Sequence, residues 1–213
     1  MSLLVGAAAL LAIWYLGLVV RPESTTRSFV KSTSVALLAI AGGIYGPPLL
    51  ALALAFCAAG DFALTREGDR AFLAGIGTFA AGHVAYIVLF LIHPASDPTR
   101  LLANPVVSIA VALVAFATVM GRILWRRAGD LSGAVLAYVP IIVAMGLAAL
   151  TLAPIGPLAL VFPAAACFIA SDAVLASETF LLPDDHPVRR LTPYIIWPVY
   201  WISQCGFLLA FSN

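Results

Sequence analysis

The sequence predicts an all-α, polytopic membrane bundle of eight transmembrane helices in one domain, residues 1–213. Three observations carry that prediction. Charge is scarce: 10% of residues are charged and 63% are hydrophobic, against about a quarter charged in a soluble domain. Apolar runs of roughly the 17–25 residues needed to cross a bilayer recur along the chain. The basic residues fall almost wholly in every second connector, as the positive-inside rule requires of a polytopic protein. Only helices or closed barrels satisfy their backbone in lipid, and short connectors between apolar runs of this length mean helices.

The first span is 3–20, in MSLLVGAAALLAIWYLGLVV. No basic residue precedes its apolar core, so it is read as a retained span rather than a signal peptide. The second and third, 31–45 and 47–65, are divided by GGIYGPP, Gly42 to Pro48, where glycine and proline punctuate a turn. The others are 71–92, 102–121, 132–152, 156–179 and 190–211. With eight spans, the connectors holding Arg21, Arg27, Lys31, Arg66, Arg70, Arg122, Arg126, Arg127, Arg189 and Arg190 share one side, which is ten of the eleven basic residues. Only Arg100 lies opposite. Merging spans two and three would destroy this partition. The basic connectors are therefore expected in the cytoplasm and both termini outside.

Several polar residues take structural readings. Asp69 and Asp130 precede apolar runs and read as helix N-caps. Trp14, Tyr15 and the Trp125-Arg126-Arg127 run read as interface anchors. Asp184, Asp185 and His186 lie together in a polar loop, without the fourth ligand a metal site wants. Cys57, Cys167 and Cys205 sit in apolar runs and do not form a secreted disulfide pattern. A net charge of +1 gives no reason to expect a nucleic-acid partner.

Two carboxylates do not fit a structural reading. CAAGDFAL (57–64) carries Asp61, and CFIASDAVL (167–175) carries Asp172, each without a basic residue in the same run. An ionisable group inside a span costs roughly 2.5–3.5 kcal/mol on insertion scales. Both aspartates also lie toward the C-terminal ends of their helices, where the helix dipole disfavours a negative charge. AGDFAL and ASDAVL share a pattern of alanine, a small residue, aspartate and leucine, 111 positions apart. Two four-helix halves related by an axis along the membrane normal would set the aspartates at one depth, facing each other. Even without duplication, counting along each span puts both ~21–24 Å from the outer boundary, in the inner half of the bilayer. Neighbouring buried carboxyls cannot both ionise cheaply and are expected to share a proton. An acid beside a carboxylate suits cleavage of an acetal-like or enol ether bond through an oxocarbenium ion.

His83 lies mid-span with Tyr86 at i+3 on one helix face. It is either a histidine hydrogen-bonded within the bundle or the far end of a long cavity. Lys31 is either a snorkelling lysine or a contact for a lipid phosphate near the acids. Tyr138, Tyr200 and Gln204 are either interhelical hydrogen-bond partners or part of the same site. Two readings compete with a lipid hydrolase. In a proton-coupled carrier the aspartates shuttle protons and no bond breaks. In an intramembrane aspartyl protease Tyr-Asp pairs with Gly-x-Gly-Asp. Ala58 and Ser171 depart from that second pattern.

Gly60, Asp61 and Leu64, followed by Phe72, Gly75, Phe79, His83 and Tyr86, resemble the first signature of the YhhN-type lysoplasmalogenase family. Ser171, Asp172, Leu175, Ala176 and Phe180 resemble its second signature. The spacing of Tyr138 and Met145 and the run Tyr200, Trp201 and Gln204 are similar to further family motifs. Lys31-Ser32 stands where the family usually has Lys-Pro, and Trp201 where it usually has a second tyrosine. The resemblance implies an eight-span enzyme that hydrolyses the vinyl ether bond of lysoplasmalogens. The products would be a fatty aldehyde and glycerophosphoethanolamine or glycerophosphocholine. This fits the two-acid reading, in which Asp61 and Asp172 are catalytic and His83, Tyr86, Tyr138, Tyr200, Gln204 and Lys31 bind the substrate. The resemblance implies a lysophospholipid and the surrounding membrane lipids as partners, with no metal or organic cofactor.

Overall fold

A computed structural model describes residues 1–212. Among these are eight α-helices: α1 (Ser2–Leu16), α2 (Thr25–Tyr45), α3 (Pro48–Leu64), α4 (Asp69–Ile92), α5 (Val106–Arg127), α6 (Ser132–Thr151), α7 (Val161–Phe180) and α8 (Pro193–Phe211). Six of the eight are long and apolar enough to cross a membrane, α6 and α7 together with the 3-10 turns that lead into them. This is the mark of an integral membrane protein. α1 and α3 are apolar but shorter, with 15 and 17 residues.

Helix boundaries correct the expected spans at four places. α2 begins six residues earlier than expected, at Thr25. The Ser24 hydroxyl accepts the Arg27 backbone N–H at 3.2 Å and supplies the N-cap. Arg27 and Lys31 are thus helical residues rather than loop residues. α5 begins four residues late, after Pro105, and runs on to Arg127, so Arg122, Arg126 and Arg127 ride its last turns. Cations there complement the negative end of the helix dipole. α7 is preceded by a 3-10 turn, Gly156–Leu160. α1 stops at Leu16 rather than near residue 20. Neither aspartate expected to cap does so. Asp69 is the first residue of α4, behind Gly68 at φ 94°, and Asp130 sits inside the 3-10 turn Gly129–Leu131. The α2–α3 break falls where glycine and proline put it, with Pro48 opening α3.

α2 packs between α1 and α3, α3 against α4, α7 against α8, and α4 against α6. Apolar surface gives no preference for protein over lipid tails, so close packing and interhelical hydrogen bonds hold such a bundle. Gly60 provides one such approach: a Cβ there would stand 2.6 Å from the Phe79 ring. Gly206 provides another, with a Cβ falling 2.8 Å from Ala164 Cβ. α8 is also stitched to the N-terminal helices. Trp197 Nε1 donates to the Ala12 carbonyl at 3.0 Å, and Trp201 Nε1 to Ser34 Oγ at 2.7 Å. Ser34 in turn donates to the Ala8 carbonyl. α5 is the exception. It rests chiefly on α6 and buries only Gly121 and Leu124. Arg100, the basic residue on the opposite side, donates to the Leu150 carbonyl near the C-terminus of α6.

Candidate active site

All eight helices contribute to one cavity of about 310 Å³. Its lining lies in the half of each helix nearest the basic connectors. The floor is reached at the helix midpoints, at Phe79, Phe116, Val143 and Ile169. On the α5–α6 side the wall is apolar, with Met120, Leu124, Val139 and Ile142. The wall also carries Lys31, Asp61, Tyr138, Asp172 and Tyr200, five of the eight residues expected to form a site.

Asp61 stands three residues before the end of α3 and is 1% exposed. Lys31 comes from the second turn of α2, with Nζ 3.1 Å from Asp61 Oδ1. This approach is a charge contact rather than an aligned hydrogen bond, because Oδ1 has no donor at good angle. Tyr200 Oη donates to Asp61 Oδ2 at 2.8 Å. The Lys31 ammonium also lies 5.9 Å from the Tyr15 ring centroid and 5.7 Å from that of Trp197. Two aromatic faces and one carboxylate therefore surround it, a favourable setting for a cation screened from water. Tyr15, expected as an interface anchor, is instead 2% exposed and packs edge-on against Trp197. Trp14 beside it is 54% exposed, on the bundle surface.

Asp172 has a different environment. It lies in the second half of α7 and is half-buried where it meets the cavity. Its one hydrogen-bond partner among the described residues is Tyr138 of α6, whose Oη donates to Oδ2 at 2.5 Å. The two aspartates do not touch each other directly. No hydrogen bond joins them among the described residues, and each carboxyl is held by its own tyrosine. What they share is the cavity.

His83, Tyr86 and Gln204 are not on the cavity wall, which corrects the expectation that they line it. All three are fully buried behind it. His83 Nδ1 lies 2.6 Å from the Phe79 carbonyl one turn back on α4. A carbonyl only accepts, so Nδ1 carries the proton and the unpartnered Nε2 is bare. The His83 ring packs edge-on against Tyr138 and tilted against Phe168, with centroids 5.4 and 4.4 Å apart. Of the two readings open from the sequence, the structure supports a histidine bonded within the bundle, beneath the cavity floor. Tyr86 Oη donates to Gln204 Oε1 at 2.8 Å and ties α4 to α8.

Arg27, Ser171, Glu178 and Trp197 are among the wall residues that the sequence did not assign to the site. Arg27 was legible in principle. It lies four residues before Lys31, on the same face once both are helical. Asp184 and His186 stand apart from the cavity. Asp184 faces Arg189 at 3.5 Å, and His186 Nδ1 accepts the Val188 N–H.

Comparison with curated proteins and with solved structures gives no match. Comparison with protein families matches residues 26–212, from the start of α2 to the end of α8 and beyond. That span holds every one of the wall residues that pair with Asp61 and Asp172. On this match the chain belongs to the YhhN family.

Proposed function

We propose that this protein is a membrane-embedded hydrolase that cleaves the vinyl ether bond of a lysoplasmalogen-type lysophospholipid. The observation that carries the reading is the unequal environment of two aspartates on one cavity. Asp61 is enclosed, against a lysine and a tyrosine. Asp172 meets the cavity with a single phenol partner. Two carboxyls in contrasting surroundings are suited to opposite roles.

In this mechanism Asp172 is the acid. It delivers its proton to the vinyl ether carbon remote from oxygen, and the double-bond electrons form the new C–H bond. The positive charge left on the adjacent carbon and oxygen is an oxocarbenium ion, which the Asp61 carboxylate stabilises. Water adds to that carbon and gives up a proton to Asp172, which restores the acid. The hemiacetal collapses with proton transfer to the leaving oxygen. One water is consumed, and a fatty aldehyde and a glycerophospho-alcohol are released. Lys31 and Tyr200 hold Asp61 in place, and Tyr138 orients Asp172. His83 buttresses the Tyr138 ring from below. Phe116, Met120, Val139 and Ile142 take the hydrocarbon. No metal or organic cofactor enters this scheme.

The same reading places all eight helices across the bilayer, with the basic ends cytoplasmic and both termini outside. α1 and α3 span only ~22–26 Å at 1.5 Å per residue, against a hydrocarbon core of roughly 30 Å. α3 thus brings Asp61 within one turn of a helix end. The halves α1–α4 and α5–α8 each set an aspartate late in their third helix and a partner for it on their second: Lys31 on α2, Tyr138 on α6. This favours the two-half arrangement.

The test is aldehyde release by purified protein from lysolipids with a vinyl ether, an alkyl ether or an ester at the same position. Release from the vinyl ether alone is expected. Release from none of them, with solute movement in proteoliposomes, would turn the reading to a carrier.

A further inference from the structure

The cavity mouth holds two opposite charges that the mechanism does not use. Arg27 lines the cavity from the first turn of α2, one turn nearer the basic connector than Lys31. Its Nη1 donates to the Arg21 carbonyl at 2.9 Å. Its Nε is buried and has no partner. The edge formed by Nε and Nη2 is the side of a guanidinium that matches two oxygens of a phosphate. Glu178 lines the same cavity from the last turn of α7. Its Oε2 is buried and likewise unpartnered. The neighbouring Arg189 is committed elsewhere: its Nη1 donates to the Glu178 and Leu182 backbone carbonyls, not to the Glu178 carboxylate. No ion pair joins Arg27 to Glu178 among the described residues.

Buried polar groups without partners are rare and carry a desolvation penalty. A guanidinium and a carboxylate on the wall of one cavity, each with an unpartnered buried atom, offer an anion site and a cation site to a zwitterion. We infer that Arg27 and Glu178 form the headgroup subsite of this cavity, Arg27 taking the phosphate and Glu178 the ammonium of a phosphoethanolamine lysolipid. This deepens the proposed function and rests on it for the identity of the lipid. The headgroup then stands at the basic end, and the chain runs inward along α5 and α6. The buried Oε2 of Glu178 needs a hydrogen-bond donor, and the carboxylate's charge favours a cationic one. A primary ammonium supplies one, and a trimethylammonium does not. Phosphoethanolamine is therefore selected over phosphocholine, and over phosphoglycerol, which carries no cation.

The test uses alkyl ether lysolipids, which lack the vinyl group, so binding is read without turnover. Their affinities for the purified full chain are measured for the three headgroups, by quenching of Trp197 and its fellow tryptophans. Wild-type protein should bind the ethanolamine lipid roughly tenfold more tightly than the choline lipid. Glu178→Gln should bring that ratio close to one, while Arg27→Gln should weaken all three and leave the ratio intact. Soluble glycerophosphoethanolamine should compete poorly. Wild-type protein without headgroup preference would overturn the inference, and so would an unchanged ratio in Glu178→Gln. The first of these needs no variant, and the ratio is internal to each preparation. Aldehyde release from the vinyl ether ethanolamine lipid is measured alongside. A preserved ratio with no aldehyde would overturn the proposed reaction and leave the headgroup subsite standing.

Discussion

Asp61 on α3 and Asp172 on α7 are the same residue type on one cavity. Their partners are what differ. Asp61 meets a cation and a phenol and is 1% exposed. Asp172 meets a phenol alone and is half-buried against the cavity. A short sequence motif fixes where a carboxyl stands in a bundle. The neighbouring helices decide what it can do there. Here α2 supplies Lys31 to one aspartate, while α6 supplies Tyr138 to the other.

The sharpest break of that contrast is Asp172→Asn. With the proton donor gone, aldehyde release should fall at least a hundredfold, within the usual range for a general acid, while the melting temperature holds. Equal turnover in the variant and the wild type would remove the assignment. Next comes Lys31→Met, which strands a buried carboxylate. Loss of one partner of a buried pair costs roughly 3–5 kcal/mol. The double variant Lys31→Met with Asp61→Asn should recover most of that stability in thermal melts without recovering turnover. Tyr138→Phe and Tyr200→Phe compare the two tyrosines directly. Tyr200→Phe removes a hydrogen bond to a charged carboxylate, worth about 1.5–3 kcal/mol, and Tyr138→Phe one to a protonated carboxyl, worth about 0.5–1.5 kcal/mol. Both should lower kcat, and a pH profile changed differently by the two would confirm that they serve different groups. Gly60→Ala presses α3 away from Phe79 and should destabilise by about 1–3 kcal/mol, disturbing the Asp61 side first.

The smallest expected effect lies far from either aspartate. Asp97, in the connector between α4 and α5, accepts from the Thr99 N–H and hydroxyl at 2.9 and 2.6 Å. These bonds hold its carboxyl below the ordinary value of 3.8. A carboxyl lowered in this way adds stability that is complete above the unfolded value. That stability is lost as pH falls through the folded one. Asp97→Asn should therefore lower the melting temperature slightly at pH 7 and leave it unchanged well below pH 3.8, with no effect on turnover at neutral pH.

The sequence made the bundle legible because apolar runs and Gly/Pro breaks act locally. Seven of the eight helices begin within five residues of the expected start, and the α2–α3 break falls at Gly46-Pro47. α2 departs from its expected start because a charged residue such as Lys31 looks like a boundary, whereas Ser24 caps a helix that carries Lys31 inside it. The aspartates could be found because a bare acid in an oily run is conspicuous. The Lys31–Asp61 contact could not be found that way, since it depends on the rotation of α2 against α3. His83 and Tyr86 belong to the same motif as Asp61, yet periodicity does not say which turn of a 24-residue helix reaches a cavity floor. Phe79, one turn earlier, forms that floor and screens His83.

The cavity ends at the helix midpoints, and this gives the protein a handedness with respect to the membrane. On the proposed function, a lipid in the leaflet away from the basic ends would have to flip before it met the aspartates. In a vesicle with protein inserted both ways, lysolipid added from outside should meet only the molecules whose basic ends face outward, and the others should stay silent until detergent is added.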